Sequence, residues 1–312
     1  MFALRGLIVS LTFFVIIYAV LSLLVAGSWR SVRLLHLKSE RNLANLLFGL
    51  RILPVVGSAI VTLGVVVPSF QMLEPRSIEE KIGLLPLALG LCAILFIACG
   101  AMRVVMAQTR TLRVVARWME GANPLPVETE AATFCARHEA PPLTLVGVCK
   151  PKVLVSKSAI SLLKPDELRI ALRHELAHVR SRDNLKKLMI RFSPFPAMAE
   201  LESAWSQAAE LAADDAAVSN SSDALDLAAA LVKLSRLVPV VPAPVCTVGF
   251  VTGSVSARVA RLLAWDEMVH TRQVRMDRHY AVFSVLGALL CAWGAYTPAL
   301  AVTHQITEWI VR

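Results

Sequence analysis

Four stretches of the chain run with almost no polar interruption: Ile8 to Gly27, Ile52 to Leu73, Ile82 to Met102 and Tyr280 to Leu300. Each provides about the 20 residues that a helix needs to cross a hydrocarbon core, so the pattern predicts four transmembrane helices. The first exceeds the roughly 7 to 15 residues of a signal-peptide core and is expected to stay as an anchor. Between the third and fourth stretches the pattern changes. "LTLVGVCKPKVLVS", Leu143 to Ser156, is rich in β-branched residues and broken at Lys150 and Pro151, which predicts two short strands or a hairpin. A helix should then start near Pro165, with Asp166 and Glu167 at the positive end of its dipole. Its apolar stripe is Leu168, Leu172, Leu176 and Val179. Further helices are expected over Met198 to Ser219, over Asp223 to Leu237 and through "SARVARLLAWDEMV", with the proline-bearing "VPVVPAPV" as a loop.

The expected layout is a three-helix membrane region over 1–102, a polar domain over 103–279, and a fourth span with a short tail over 280–312. A hydrophobic share of 56% fits such a membrane protein. Basic residues stay on the cytoplasmic side of short loops. Arg30, Arg33, Lys38 and Arg41 follow the first stretch, Arg103, Arg110, Arg113 and Arg117 follow the third, and Arg272, Arg275 and Arg278 precede the fourth. The domain is therefore expected in the cytoplasm, with both termini outside. Much of the net charge of +9 sits at these membrane edges, which points to contact with the lipid bilayer and away from nucleic acid. "RSRDNLKKLMIR", Arg180 to Arg191, reads as a basic face near the headgroups, in which Asp183 pins a neighbour. Arg51 is expected to snorkel to the interface. Trp118, Trp205 and Trp265 read as packing residues. Cys135, Cys149 and Cys246 lack CxxC spacing, and Cys92, Cys99 and Cys291 fall in spans, so neither a disulfide framework nor a cysteine metal site is indicated.

Within the polar domain, "RHELAHVRSRDN" places His174 and His178 four residues apart on one helical face. Their imidazoles can converge on one Zn2+, which binds neutral imidazole nitrogen and, in catalytic sites, three protein ligands. Glu175 sits about 100° around the helix from His174, where it reaches a metal-bound water without becoming a ligand. A third ligand is available in Glu210 of "AELAADDAAV", and Asp214, one turn later, can orient a ligand histidine. The bland alternative for Glu210 and Asp214 is a solvated acidic face.

Three spans, "HELAHVRSRDN", "ELAADDAAV" and a fourth span together resemble the bacterial BlaR/MecR-type membrane metallopeptidases. The likeness is most specific from Lys150 to Val218. It implies a mainly α integral membrane protein of the bacterial cytoplasmic membrane. An α+β zincin-like domain would lie between helices three and four, with His174, His178 and Glu210 as zinc ligands and Glu175 as base. It further implies a protein substrate, such as a cytosolic regulator, added as a β-strand along Lys152, Val153, Leu154 and Val155. Two departures stand out. The extracellular penicillin-binding domain of the sensor transducers has no counterpart before Arg312, so β-lactam sensing of that kind is not expected. The segment 103–279 also lacks tyrosine, which leaves the oxyanion to His270, an arginine or no side chain. The competing readings are a membrane quality-control protease of the HtpX or CAAX-prenyl-protease kind, and a zinc-stabilised signal transducer that cuts nothing.

Overall fold

A computed structural model describes residues 2–31, 39–75, 82–126, 130–136, 140–237, 247–249, 255–265 and 294–309. Two compact units divide the chain. One comprises Met1–Val32, Leu50–Gly100 and Gln273–Arg312, and the other Arg33–Gly49 and Ala101–Arg272.

The first unit is helical. α1 spans Phe2–Ser28, α2 Glu40–Val61, α3 Val67–Leu73 and α4 Leu84–Met119, the second and fourth of these continuing into the other unit. α2 passes into α3 through a π-helical turn, Thr62–Val66. That widened turn ends two residues before Pro68, which has no N–H to donate and would crowd the carbonyl four residues back. Three helical stretches, Phe2–Ser31, Glu40–Leu73 and Leu84–Met119, are long and apolar enough to cross a membrane; the first two contain the first two expected spans, and the third starts two residues after the expected Ile82. Of the fourth, residues 280–293 lie outside the described residues, and 294–309 form a helix, here α11. Gly6 lets α1 approach α3 closely: a Cβ there would stand 2.8 Å from the Phe70 ring. Ser69 donates to the Leu300 carbonyl at 2.8 Å, which fastens α3 to α11. Arg51 is 1% exposed rather than reaching out to headgroups. Packing within the bundle has overruled the expected snorkelling.

The second unit carries a five-stranded sheet in the order β1-β2-β4-β3-β5: β1 Asn123–Pro124, β2 Ala132–Ala136, β3 Leu143–Val146, β4 Lys152–Ser156 and β5 Thr247–Gly249. The expected hairpin is the antiparallel pair β3/β4, in which Leu143 faces Val155. β4 also pairs in parallel with β2, Ala132 opposite Lys152. This corrects the expectation that Lys152 to Val155 accepts a substrate strand, because both edges of β4 already carry ladder hydrogen bonds and none is left for an added chain.

Helices cover the sheet: α5 Lys157–Leu162, α6 Pro165–Ser181, α7 Asp183–Phe192, α8 Ala199–Ala217, α9 Ser221–Ser235 and α10 Val255–Leu263. α6 starts at Pro165 as its sequence predicts, and the Glu167 carboxylate accepts from the Lys164 backbone N–H at 2.8 Å. Glu167 also binds Lys233 of α9 at 2.6 Å. Leu172 and Leu176 of the expected stripe are buried in a core with Val153, Val155, Leu227 and Leu231, and Leu168 and Val179 pack on its rim. Burial extends well past that stripe, to Ile170, Ala171, His174, Glu175, Ala177 and His178, so α6 is the central helix of the unit. The expected loop 238–245 and residues 266–269 of the last expected helix lie outside the described residues.

Candidate metal centre

The i,i+4 spacing on α6 brings His174 Nε2 within 3.2 Å of His178 Nε2. Glu210, on α8, completes a triangle: its Oε2 is 3.7 Å from His174 Nε2 and its Oε1 3.8 Å from His178 Nε2. All three side chains are buried, and their donor atoms lie within 4.8 Å of one another. Two nitrogens bound to one tetrahedral zinc at about 2.0 to 2.1 Å stand about 3.3 Å apart. The histidine pair already has that separation.

Carboxylates fix both rings from behind. Asp214 Oδ1 is 2.9 Å from His174 Nδ1, and Asp183 Oδ2 is 2.7 Å from His178 Nδ1. A carboxylate can only accept, so a hydrogen on each Nδ1 suits these contacts and leaves each Nε2 a lone pair turned inward. Two lone pairs facing each other at this distance require a cation between them, either a proton or a metal. The chemistry of the donor set therefore fits zinc. Burial alone would depress the His174 imidazole, but hydrogen bonding to Asp214 and Glu210 and the charge of Asp214 outweigh it and hold the group up at about 9. His178 moves the other way, because burial there outweighs Asp183. Burial also opposes ionisation of Glu210 and Asp214, yet His174 and Arg258, joined at Glu210 by His178, bring both carboxyls down to about 2.

The backbone explains how Asp183 reaches the site. α6 ends at Arg182, which adopts a left-handed conformation (φ 55°), and its N–H bonds the Val179 carbonyl at 3.0 Å. This single αL residue turns the chain so sharply that α7 begins at once. The first residue of α7 then points back at the last histidine of α6. "Pins a neighbour" was the expectation for Asp183, and the neighbour is a metal-ligand candidate.

Glu175 is fully buried, and neither of its carboxylate oxygens meets a hydrogen-bond partner among the described residues. Burial pushes its pKa up to about 8. An orphaned buried carboxylate next to a histidine pair costs stability unless a ligand uses it.

Arg258 of α10 was not expected. Its Nε and Nη2 form a fork on Asp214 (2.8 and 2.6 Å), and Nη1 donates to Glu210 Oε2 at 3.0 Å. Oε1 of Glu210 is left toward His178. The same helix places Arg261 2.7 Å from Asp215, so Asp214 and Asp215 diverge, one to the site and the other away from it. His270 lies outside the described residues.

A model of Peptidase family M48 matches residues 144–200. The match runs from β3 to the start of α8, covers both histidines and Glu175, and stops short of Glu210. It supports a metallopeptidase of the M48 type. It does not confirm the resemblance to BlaR/MecR-type enzymes in particular. No curated protein matches the chain.

Proposed function

We propose that this protein is a membrane-anchored zinc endopeptidase that hydrolyses peptide bonds of a cytosolic or membrane-proximal protein. The observation that carries the proposal is the pair of carboxylate-backed histidines whose Nε2 atoms face each other at 3.2 Å beside Glu210. His174, His178 and Glu210 are the ligands. Zinc held there would supply Lewis-acid chemistry, polarising a carbonyl and lowering the pKa of a water. Asp214 and Asp183 keep the two rings in the ligating tautomer. Glu175, its carboxylate free of competing hydrogen bonds, takes the proton of the attacking water and passes it to the leaving amine. Arg258 keeps Glu210 and Asp214 ionised and in place.

Three apolar helices support a membrane location. The distribution of Lys and Arg favours a cytoplasmic domain, and the arrangement of spans favours regulated proteolysis in signalling over quality control. The test is cleavage of an unfolded protein by the detergent-purified chain. Activity should be lost to a chelator and restored by zinc. A Glu175→Gln variant that cuts at the wild-type rate would sink the proposal.

A further inference from the structure

α7 buries polar residues in its first turn and exposes an apolar stripe. Its inward side is polar in the first turn, where Asp183 bonds His178 and Asn184 donates to the Gly147 carbonyl at 2.9 Å, and apolar at Ile190 further on. Its outward side is apolar. Leu185 and Met189, one turn apart, are 37% and 40% exposed, and half-buried Leu188 and Phe192 complete the same stripe at helical spacing. Exposed Arg182 and Arg191 stand at the two ends of the helix.

A neighbour in the same unit shows what such a face meets. Arg41 of α2 donates to Ser181 at the α6/α7 junction, and Lys186 of α7 donates to Asn45 of α2 at 3.2 Å while its ammonium stands 5.5 Å from the centre of the Phe48 ring. α2 is the start of the apolar stretch Glu40–Leu73, which has no charged residue after Arg51. Asn45 and Phe48 precede Ile52 by seven and four residues, about 10 and 6 Å of helix rise. The headgroup layer on one side of a bilayer is about 5 to 8 Å deep. Within this unit α7 is tied to the residues of α2 that lead into the apolar stretch, with its apolar stripe exposed.

We propose that α7 is an interfacial helix whose Leu185/Met189 stripe seats in an anionic lipid leaflet, with Arg182 and Arg191 on the phosphates. Because Asp183 belongs to the same helix and holds His178, this seat sets the height of the metal centre above the bilayer. The proposal rests on hydropathy, charge and the α2 contacts, and it stands whether or not the site cuts peptides.

The test uses the full chain in lipid nanodiscs, with a photocrosslinking amino acid replacing Leu185 or Met189. Discs contain zwitterionic lipid alone or with phosphatidylglycerol. The expected result is phospholipid adducts at both positions, with the anionic lipid enriched about fivefold over its share, the effect of about one favourable basic contact. The same probe at Arg169, whose side chain is 63% exposed on α6, provides the water-facing comparison. Adducts from 185 and 189 that go to another part of the chain, to a second copy, or only to water as at 169 overturn the proposal. Arg182→Asn, a residue that tolerates the left-handed turn, combined with Arg191→Glu should keep the lipid adducts and lose the anionic enrichment. Enrichment that persists overturns the role of the arginines.

Discussion

Asp183 and His178 are five residues apart and joined by a 2.7 Å hydrogen bond across the left-handed turn at Arg182. The bond fixes which ring nitrogen of His178 is left to bind a metal. Replacing Asp183 with Ala should weaken zinc binding about 10- to 100-fold, the usual effect of losing such a partner. Competition with a chromophoric chelator measures it. Unchanged affinity would mean that ring orientation is set by packing alone.

Arg258 reaches both Glu210 and Asp214 from α10, at 3.0 and 2.6 Å. Arg258→Met should leave two buried carboxylates with His174 as their remaining cation and cost about 3 to 5 kcal/mol in the metal-free protein. Zinc supplies positive charge to the same carboxylates, so the loaded variant should recover part of that loss. Thermal unfolding with and without zinc checks this. Equal destabilisation in both states would assign Arg258 to packing only.

Much of this site was legible in the sequence, and the omissions have physical causes. His174, Glu175, His178, Glu210 and Asp214 come together because both motif segments are long helices whose internal spacing alone fixes the side-chain directions. Arg258 lies 44 residues beyond Asp214, and nothing in local periodicity signals a pairing over that separation. Asp183 follows the helix end, where one αL residue decides which way the next side chain points. β2 sits in a segment whose polar flanks hid it, and without β2 the strand β4 looked like an edge. Arg51 was misplaced because hydropathy shows where a charge enters a span, not which neighbour buries it.

Zinc binding should depend on pH in a set direction. The metal needs neutral imidazole, while His174 holds its proton up to about 9. That raised pKa adds stability to the metal-free fold below about pH 6.5, and the contribution fades as pH rises through 9. Zinc must displace this proton, so affinity should tighten about tenfold per unit between roughly pH 6.5 and 9, with proton release on binding. Calorimetry in buffers of different ionisation enthalpy counts the protons. Glu210 and Asp214, depressed to about 2, act oppositely: their contribution is present above about pH 4 and is lost as pH falls toward 2.

The two glutamates should separate by role. Glu210→Ala removes one of three ligand candidates and leaves Arg258 with Asp214 alone, so the variant should lose zinc and the folding free energy that metal binding contributes. Glu175→Ala touches no ligand and removes a buried carboxylate that has no hydrogen-bond partner among the described residues. It should keep zinc and remain at least as stable as the wild type, because no bond is broken and an unfavourable buried group is gone. Cleavage should nonetheless fall about 10² to 10⁴-fold, the range of general-base catalysis. Metal analysis, melting temperature and cleavage rate on the two purified variants give a pattern that no shared structural role produces. Full zinc in Glu210→Ala would move the third ligand to another carboxylate, with Asp214 first in line. Undiminished cleavage in Glu175→Ala would remove Glu175 from the reaction.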